Sequence, residues 1–208
     1  MNIKYLKFSV CKVSEIRNFL ETLHYSHSIN GVKITICFKA EYNNVLVGAM
    51  LFGQMSTTAW KKFGISEDSV LELRRLVMID ECPTNSESMF IGYCLRHIKR
   101  NITTVNTIVS YADPTYSHTG VIYRASNFNY LGLSASDVGY RDIETGKIYH
   151  SRALRTKYKG EYKPFVKKLR EKKELGLLHE IKLLGKHTYV YTITRKRPRR
   201  TTIGSNFG

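Results

Sequence analysis

The 208-residue chain is short of several things, and each shortage removes a class of protein. No apolar run approaches the ~20 residues of a membrane-spanning helix, so an integral membrane protein is not expected. The opening MNIKYLKFSV has no apolar h-region before a small-residue cleavage site, so secretion is not expected either. Four cysteines (Cys11, Cys37, Cys82, Cys94) are widely spaced, with no C-x-x-C pair. They read as reduced, mostly buried thiols of a cytoplasmic protein, not as a disulfide framework or a zinc clip. No P-loop, dinucleotide G-x-G-x-x-G, H-E-x-x-H or G-x-S-x-G occurs, which withdraws the usual support for several enzyme classes. Acid is scarce as well: 17 Asp and Glu face 33 Lys and Arg, for a net charge of +16.

Hydrophobic residues make up 42% of the chain, enough for one sizeable core, so one domain with a tail is expected. The charge is uneven. Residues 1–150 hold 16 basic and 13 acidic residues, whereas 151–208 hold 17 and 4. This concentration points to a polyanion. Nucleic acid leads over an anionic membrane, because the basic segment lacks an amphipathic helix with an apolar anchoring face. The plainer alternative is a solubilising basic surface. The candidate DNA contacts are Lys167, Lys168, Arg170, Lys172 and Lys173 of a predicted helix. Arg195, Lys196, Arg197, Arg199 and Arg200 join them from a tail too charged to fold alone.

Periodicity predicts a strand over 2–10, then a helix after Ser14 with Ile16, Phe19, Leu20 and Leu23 inward. Strands over 33–40 and 45–54 flank the turn residues Asn43-Asn44, a hairpin signal. A strand over 70–79 stops at Pro83. Thr84 and Glu87 have capping-box spacing before a helix with Phe90, Ile91, Cys94, Leu95 and Ile98 on one face. A buried strand over 107–112, a short helix over 118–127 and strands over 130–133 and 138–150 follow. Pro164 opens a Lys-rich helix to about 176. Residues 177–183 and 187–194 read as a hairpin across Leu184-Gly185-Lys186. The order β-α-β-β-β-α-β-α-β-β predicts an α/β (α+β) domain.

Three polar groups sit at predicted element ends. His24, Tyr25, Ser26 and His27 leave the first helix and suit proton transfer or contact with a base, or simply cap their own helix. Glu72, Arg74 and Arg75 lie on a strand. Alternation puts the two arginines on opposite faces, one suited to a phosphate or carboxylate, and Glu72 can pair with Arg74. The third group is Ser110, Asp113, His118, Tyr123 and Asn127. Asp113 lies past a strand's C-terminal end, where open sheets place ligands, and Asp113 with His118 can form a base–orienter pair. Alternatively Asp113-Pro114 is a turn, His118 a cap and Tyr123 core. A two-His-one-carboxylate iron site from His24 or His27 with Asp113 and His118 is a further option.

The segment His118-Thr-Gly-Val-Ile-Tyr123-Arg-Ala-Ser-Asn127-Phe128 and the element order resemble the GNAT acetyltransferases. The acyl-CoA pyrophosphate motif Q/R-x-x-G-x-G/A is absent; Cys82-Pro83-Thr84-Asn85-Ser86-Glu87-Ser88 stands in its place. A narrower resemblance covers roughly residues 15–160. His24-Tyr25-Ser26, Leu73-Arg74-Arg75-Leu76-Val77, Pro83-x-Asn85-x-Glu87-Ser88 and Ser110-Tyr111-Ala112-Asp113-Pro114 through Phe128 are similar to the phage Mom family. The resemblance implies a GNAT-like fold, a mixed central sheet flanked by helices. It also implies a transferase that adds a carbamoylmethyl group to the exocyclic amine of adenine in double-stranded DNA, protecting phage DNA from restriction in the host cytoplasm.

On that reading His24, Tyr25, Asp113, His118 and Tyr123 are catalytic. Ser26, Arg74, Arg75, Asn85, Ser86, Ser110 and Asn127 bind substrate or a small-molecule donor. Residues 1–160 form the catalytic domain, 161–194 a basic helix and hairpin completing it, and 195–208 a basic mobile tail. Acyl-CoA is a possible donor despite the missing motif. The rivals are a non-catalytic DNA-binding regulator and an acyl-CoA-dependent N-acyltransferase acting on another amine.

Overall fold

The computed structural model describes residues 1–56 and 58–195. Two compact units divide them: residues 1–110, 125–128 and the chain from 190 form the first; 111–124 and 129–189 form the second. The sequence-based boundary at 160 falls inside the second unit.

The first unit is built on β1 (Leu6–Cys11), β2 (Ile34–Tyr42), β3 (Val45–Gln54), β4 (Val70–Met78) and β5 (Thr107–Ala112). The first four are antiparallel neighbours in that order, and β5 runs parallel to β4. A parallel pair needs a long crossover, supplied here by helix α2 (Ser86–Asn101). Asn43 and Asn44 both take positive φ, +51° and +63°, in the tight turn between β2 and β3. Such a turn matches the strands' right-handed twist, and Asn tolerates its backbone.

Strand β3 is buried from Val47 to Gly53, so both of its faces are covered. On one, Ala49 and Leu51 pack with Ile16 and Leu20 of helix α1 (Val13–Leu23). On the other, Phe52 meets Phe38 edge-on, and Phe38 meets Tyr93 of α2. Every apolar residue expected inward on α2 is buried. On α1 the outermost, Leu23, is instead 47% exposed. The Thr84–Glu87 capping box does not form: the helix starts at Ser86, with Asn85 at φ +71° as a cap that makes no side-chain bond. The left-handed turn at Asn85 carries the chain out of the Pro83 bend before the helix begins, which leaves Thr84 outside it.

The second unit contains α3 (Val121–Ala125, its last residue in the first unit), β6 (Asn129–Leu133), β7 (Asp137–Asp142) and β8 (Ile148–His150). The ribbon β9 (Lys157–Tyr158) and β10 (Glu161–Tyr162), helix α4 (Pro164–Glu174) and β11 (Leu178–Leu183) follow. A small sheet has the order β11-β7-β8. Its apolar cluster is Tyr140, Leu154, Leu178 and Leu169 of α4.

The expected hairpin over 177–194 is corrected. Strand β11 pairs with β7 from Leu178 opposite Asp142 to Leu183 opposite Asp137. Strand β12 (His187–Thr192) belongs to another sheet, where its start lies beside β6. The connecting turn is held by Ser134, whose N–H donates to Lys186 O, while Lys186 N–H donates to Ser134 Oγ. A Cβ on Gly185 would stand 1.8 Å from the Ser134 carbonyl oxygen, so the close approach requires glycine.

Candidate functional site

In the first unit the site grows from an irregularity in β4. Arg75 lies opposite Leu51 and Leu73 opposite Phe52, so Arg74 is the extra residue of a β-bulge. The bulge cancels the alternation that was expected to send Arg74 and Arg75 to opposite faces. Arg75, opposite Leu51, shares its α1-facing side. Glu72, opposite Gly53, is on that side too, and Arg74 Nη1 pairs with Glu72 Oε2. All three charged side chains therefore share one face.

The loop after α1 closes over this cluster. Buried His24 accepts the Ser26 N–H at Nδ1 (3.1 Å), and Ser26 Oγ lies 2.8 Å from the same nitrogen. Ser26 Oγ donates to Ser28 O, and the same carbonyl accepts both Nε (3.2 Å) and Nη2 (3.0 Å) of Arg75. A continuous polar chain thus runs from His24 to Arg75. The Tyr25 ring lies 4.2 Å from that of His24, and the phenol acts on the Arg75 charge. Burial lowers the Arg75 pKa from its ordinary value, but a guanidinium remains charged at neutral pH. Its fork is aimed by the loop carbonyl and by its own chain, Nη1 donating to Arg74 O at 2.7 Å.

Ser110 is fully buried on β5 opposite Leu73, the face away from the arginines, and its Oγ has no partner. The structure therefore does not bring Ser110 to the Arg75 cluster. Arg74 Nε is likewise buried without a partner. Asn85 is exposed, and Ser86 Oγ donates to Pro83 O at 2.6 Å.

In the second unit Asp113 caps a short 3-10 turn, accepting the Thr115 N–H, and its Oδ2 meets Lys186 Nζ at 2.8 Å. Burial pushes its pKa up, but Lys186 and the Thr115 N–H override this and hold it below its ordinary value. An ionised, cation-paired carboxylate is a weak base and suits orientation better than proton abstraction. Lys186 was missed in the sequence, where it reads only as a turn residue. His118 is exposed, with its ring 6.3 Å from Tyr116.

Tyr123 is 8% exposed, with its ring 5.3 Å from Tyr189. Tyr189, fully buried, donates its hydroxyl to Thr119 O at 2.6 Å. The preceding turn is tight around it: Gly120 has φ +75°, and a Cβ there would stand 2.3 Å from the Tyr189 ring. Tyr130 adds a third ring and meets His187 Nδ1 at 2.9 Å. Sequence reasoning missed Tyr189, Tyr130 and His187; the β-alternation of 187–192 was the available signal. Asn127, exposed at φ +62°, ends the α3 segment as a left-handed residue.

The basic residues divide. Lys167 and Lys168 are exposed. Lys172 binds Asp142 and Glu144, both at 2.7 Å, and Lys173 binds the Tyr140 hydroxyl. Arg170 lies over the Tyr162 ring. Arg195 is corrected from a tail contact to an internal anchor. Its guanidinium donates to the carbonyls of Lys99, Ile102 and Val105 and to Asn106 Oδ1, at the C-terminal end of α2 where cations are favoured. Lys196, Arg197, Arg199 and Arg200 lie outside the described residues.

No three His, Cys, Asp or Glu side chains among the described residues gather as a metal site, so the iron alternative finds no ligand set. The segment from the end of β4 into the first turn of α2 does not fit the pyrophosphate of acyl-CoA. It has no glycine, carries Asp80, Glu81 and Glu87, and spends the Ser86 N–H on Pro83 O. No helix among the described residues is long and apolar enough to cross a membrane.

The model of the Mom protein family matches residues 5–206. The chain belongs to the Mom protein family. A Mom relative from Escherichia phage Mu, named methylcarbamoylase, is 26% identical over 188 residues, 88% of this chain and 74% of the relative. Among solved structures, an N-acetyltransferase of Staphylococcus aureus superposes with a TM-score of 0.50 at 13% identity, covering 91% of this chain and 99% of that one. The ribosomal-protein-S18-alanine N-acetyltransferase of Escherichia coli gives 0.50 at 8% identity, covering 93% and 97%. These likenesses bear out the GNAT-like α/β fold expected for a Mom protein.

Proposed function

We propose that this chain is a DNA-modifying transferase that adds a carbamoylmethyl group to the exocyclic amine of adenine in double-stranded DNA. Membership of the Mom family over residues 5–206 carries this reading, and the methylcarbamoylase from phage Mu supports the group transferred. The target amine is inaccessible inside a stacked duplex, so the adenine is extruded before reaction. Its nitrogen forms a bond to the donor carbon, the leaving group departs with the bonding pair, and the amine proton passes to the imidazole of His118.

Arg75, fixed by the Ser28 carbonyl beside Tyr25, suits an anionic group on the donor. His24 and Tyr25 hold the base, and Asp113, paired with Lys186, orients the reacting groups. Buried Tyr123 protonates the leaving group. The modified DNA resists restriction in the host cytoplasm.

The test is expression in bacteria, digestion of genomic DNA and mass spectrometry of the nucleosides. Modified adenine is expected; unmodified adenine from soluble, folded protein sinks the proposal. Tyr123→Phe should lower the modified fraction formed per unit time by about 10²-fold or more, the usual contribution of a general acid. Undiminished modification by that variant removes Tyr123 from the mechanism.

A further inference from the structure

The cations of the second unit fall into two sets with different fates. From Arg170 to Leu183 four basic residues face three acidic ones, and three of the four are engaged within the chain. From Arg152 to Lys168 seven basic residues face only Glu161. This second set surrounds the ribbon β9–β10, whose tight turn uses Lys159 at φ +49° and Gly160 at φ +84°. Among the described residues Lys157, Lys159, Lys163, Lys167 and Lys168 have no acidic partner and are exposed.

Aromatic rings hold three of these lysines in place. Lys163 Nζ lies 5.1 Å and Lys159 Nζ 5.8 Å from the Tyr158 ring centroid, and Lys157 Nζ lies 5.0 Å from that of Tyr162. Tyr158 is 60% exposed. A ring face positions an ammonium without neutralising it, whereas the carboxylates on Lys172 cancel its charge. The ribbon therefore presents positioned, uncompensated positive charge, and a two-stranded ribbon is narrow enough to lie along a DNA groove.

We propose that the β9–β10 ribbon, with Lys157, Lys159 and Lys163, is a docking element for the phosphate backbone of duplex DNA. The inference rests on the reading of this chain as a DNA-modifying enzyme and locates its grip away from the C-terminal half of α4. Each phosphate contact contributes ~0.9 to the slope of log affinity against log salt.

The full chain is titrated against a labelled 20-base-pair duplex over a series of KCl concentrations. The triple change Lys157→Ala, Lys159→Ala and Lys163→Ala should reduce the magnitude of the slope by about 2 to 3 and weaken binding about tenfold or more at ~0.1 M salt. Replacing the same three residues by Arg should restore the slope, which guards against a folding defect. A charge-matched set on the first unit, Lys4→Ala, Lys7→Ala and Lys33→Ala, should leave it in place. An unchanged slope in the Lys157/Lys159/Lys163 alanine variant overturns the inference, as does wild-type preference for single-stranded DNA or transfer RNA over the duplex. The nucleoside measurement is separate: modified adenine with an unchanged slope retains the transferase and rejects the ribbon.

Discussion

Leu51 in the first unit and Asp142 in the second are both buried, but different forces hold them. Leu51 is sealed among Ile16, Leu20, Ile29, Cys37 and Ala49. Asp142 is buried because Lys172 meets one carboxylate oxygen and the N–H groups of Glu144 and Thr145 meet the other. The core around Leu51 is thus organised by apolar area, which is non-directional and insensitive to pH. The second unit has a smaller apolar cluster and relies on satisfied charge. A scaffold of the first kind holds Arg75 firmly against its loop. One of the second kind leaves lysines at the surface once its few acids are satisfied.

The largest effect expected is on the first unit. Leu51→Ala leaves a cavity in a fully buried site and should cost about 2–5 kcal/mol in chemical denaturation. A smaller loss would mean that α1 collapses onto the gap and that this core is softer than its burial implies. Next is Lys172→Met, which strips the ion partner from a buried carboxylate. It should destabilise the second unit by less than the Leu51 change and, unlike it, should be relieved on adding Asp142→Asn. Failure of that rescue would deny the charge-based account of the second unit.

Tyr189→Phe removes one hydrogen bond, to Thr119 O, and should cost ~1 kcal/mol by the same denaturation assay. Acidification gives the subtlest contrast. Asp113 and Asp142 are held below their ordinary values when folded, Asp142 chiefly by Lys172. Their stabilisation is complete above the unfolded value of about 4 and is lost as pH falls through the lowered folded values. A depressed carboxyl of the first unit, Glu15, is exposed and bridged to Lys39 in solvent, where such a pair contributes little. Amide exchange in β7 and β11 should therefore accelerate at a higher pH than in β2 and β3; the reverse order would contradict the comparison.

Much of the fold was legible because its signals are local. The spacing of Phe90, Ile91, Cys94, Leu95 and Ile98 follows from the pitch of a helix, and all five are buried. Asn43-Asn44 marks its turn by what its own backbone tolerates. The candidate site was legible in its residue types, not in its pairings. Strand alternation separates Arg74 from Arg75, and only a register slip against β3 returns them to one face. Lys186 looks like a turn residue until the chain brings it to Asp113, 73 positions earlier.

Most of the elements, the excess of cations in the last quarter and the family motifs were readable along the chain, because each depends on neighbouring residues or on composition. Which cations remain available depends on the folded neighbours of each. Lys172 and Arg195 count the same as Lys157 and Lys163 in any tally of charge. One is neutralised by two carboxylates and another caps a helix with four acceptors, while the remaining two stand over aromatic rings. Coulomb interactions fall off with distance in space and not along the chain, so no count of residues could separate them.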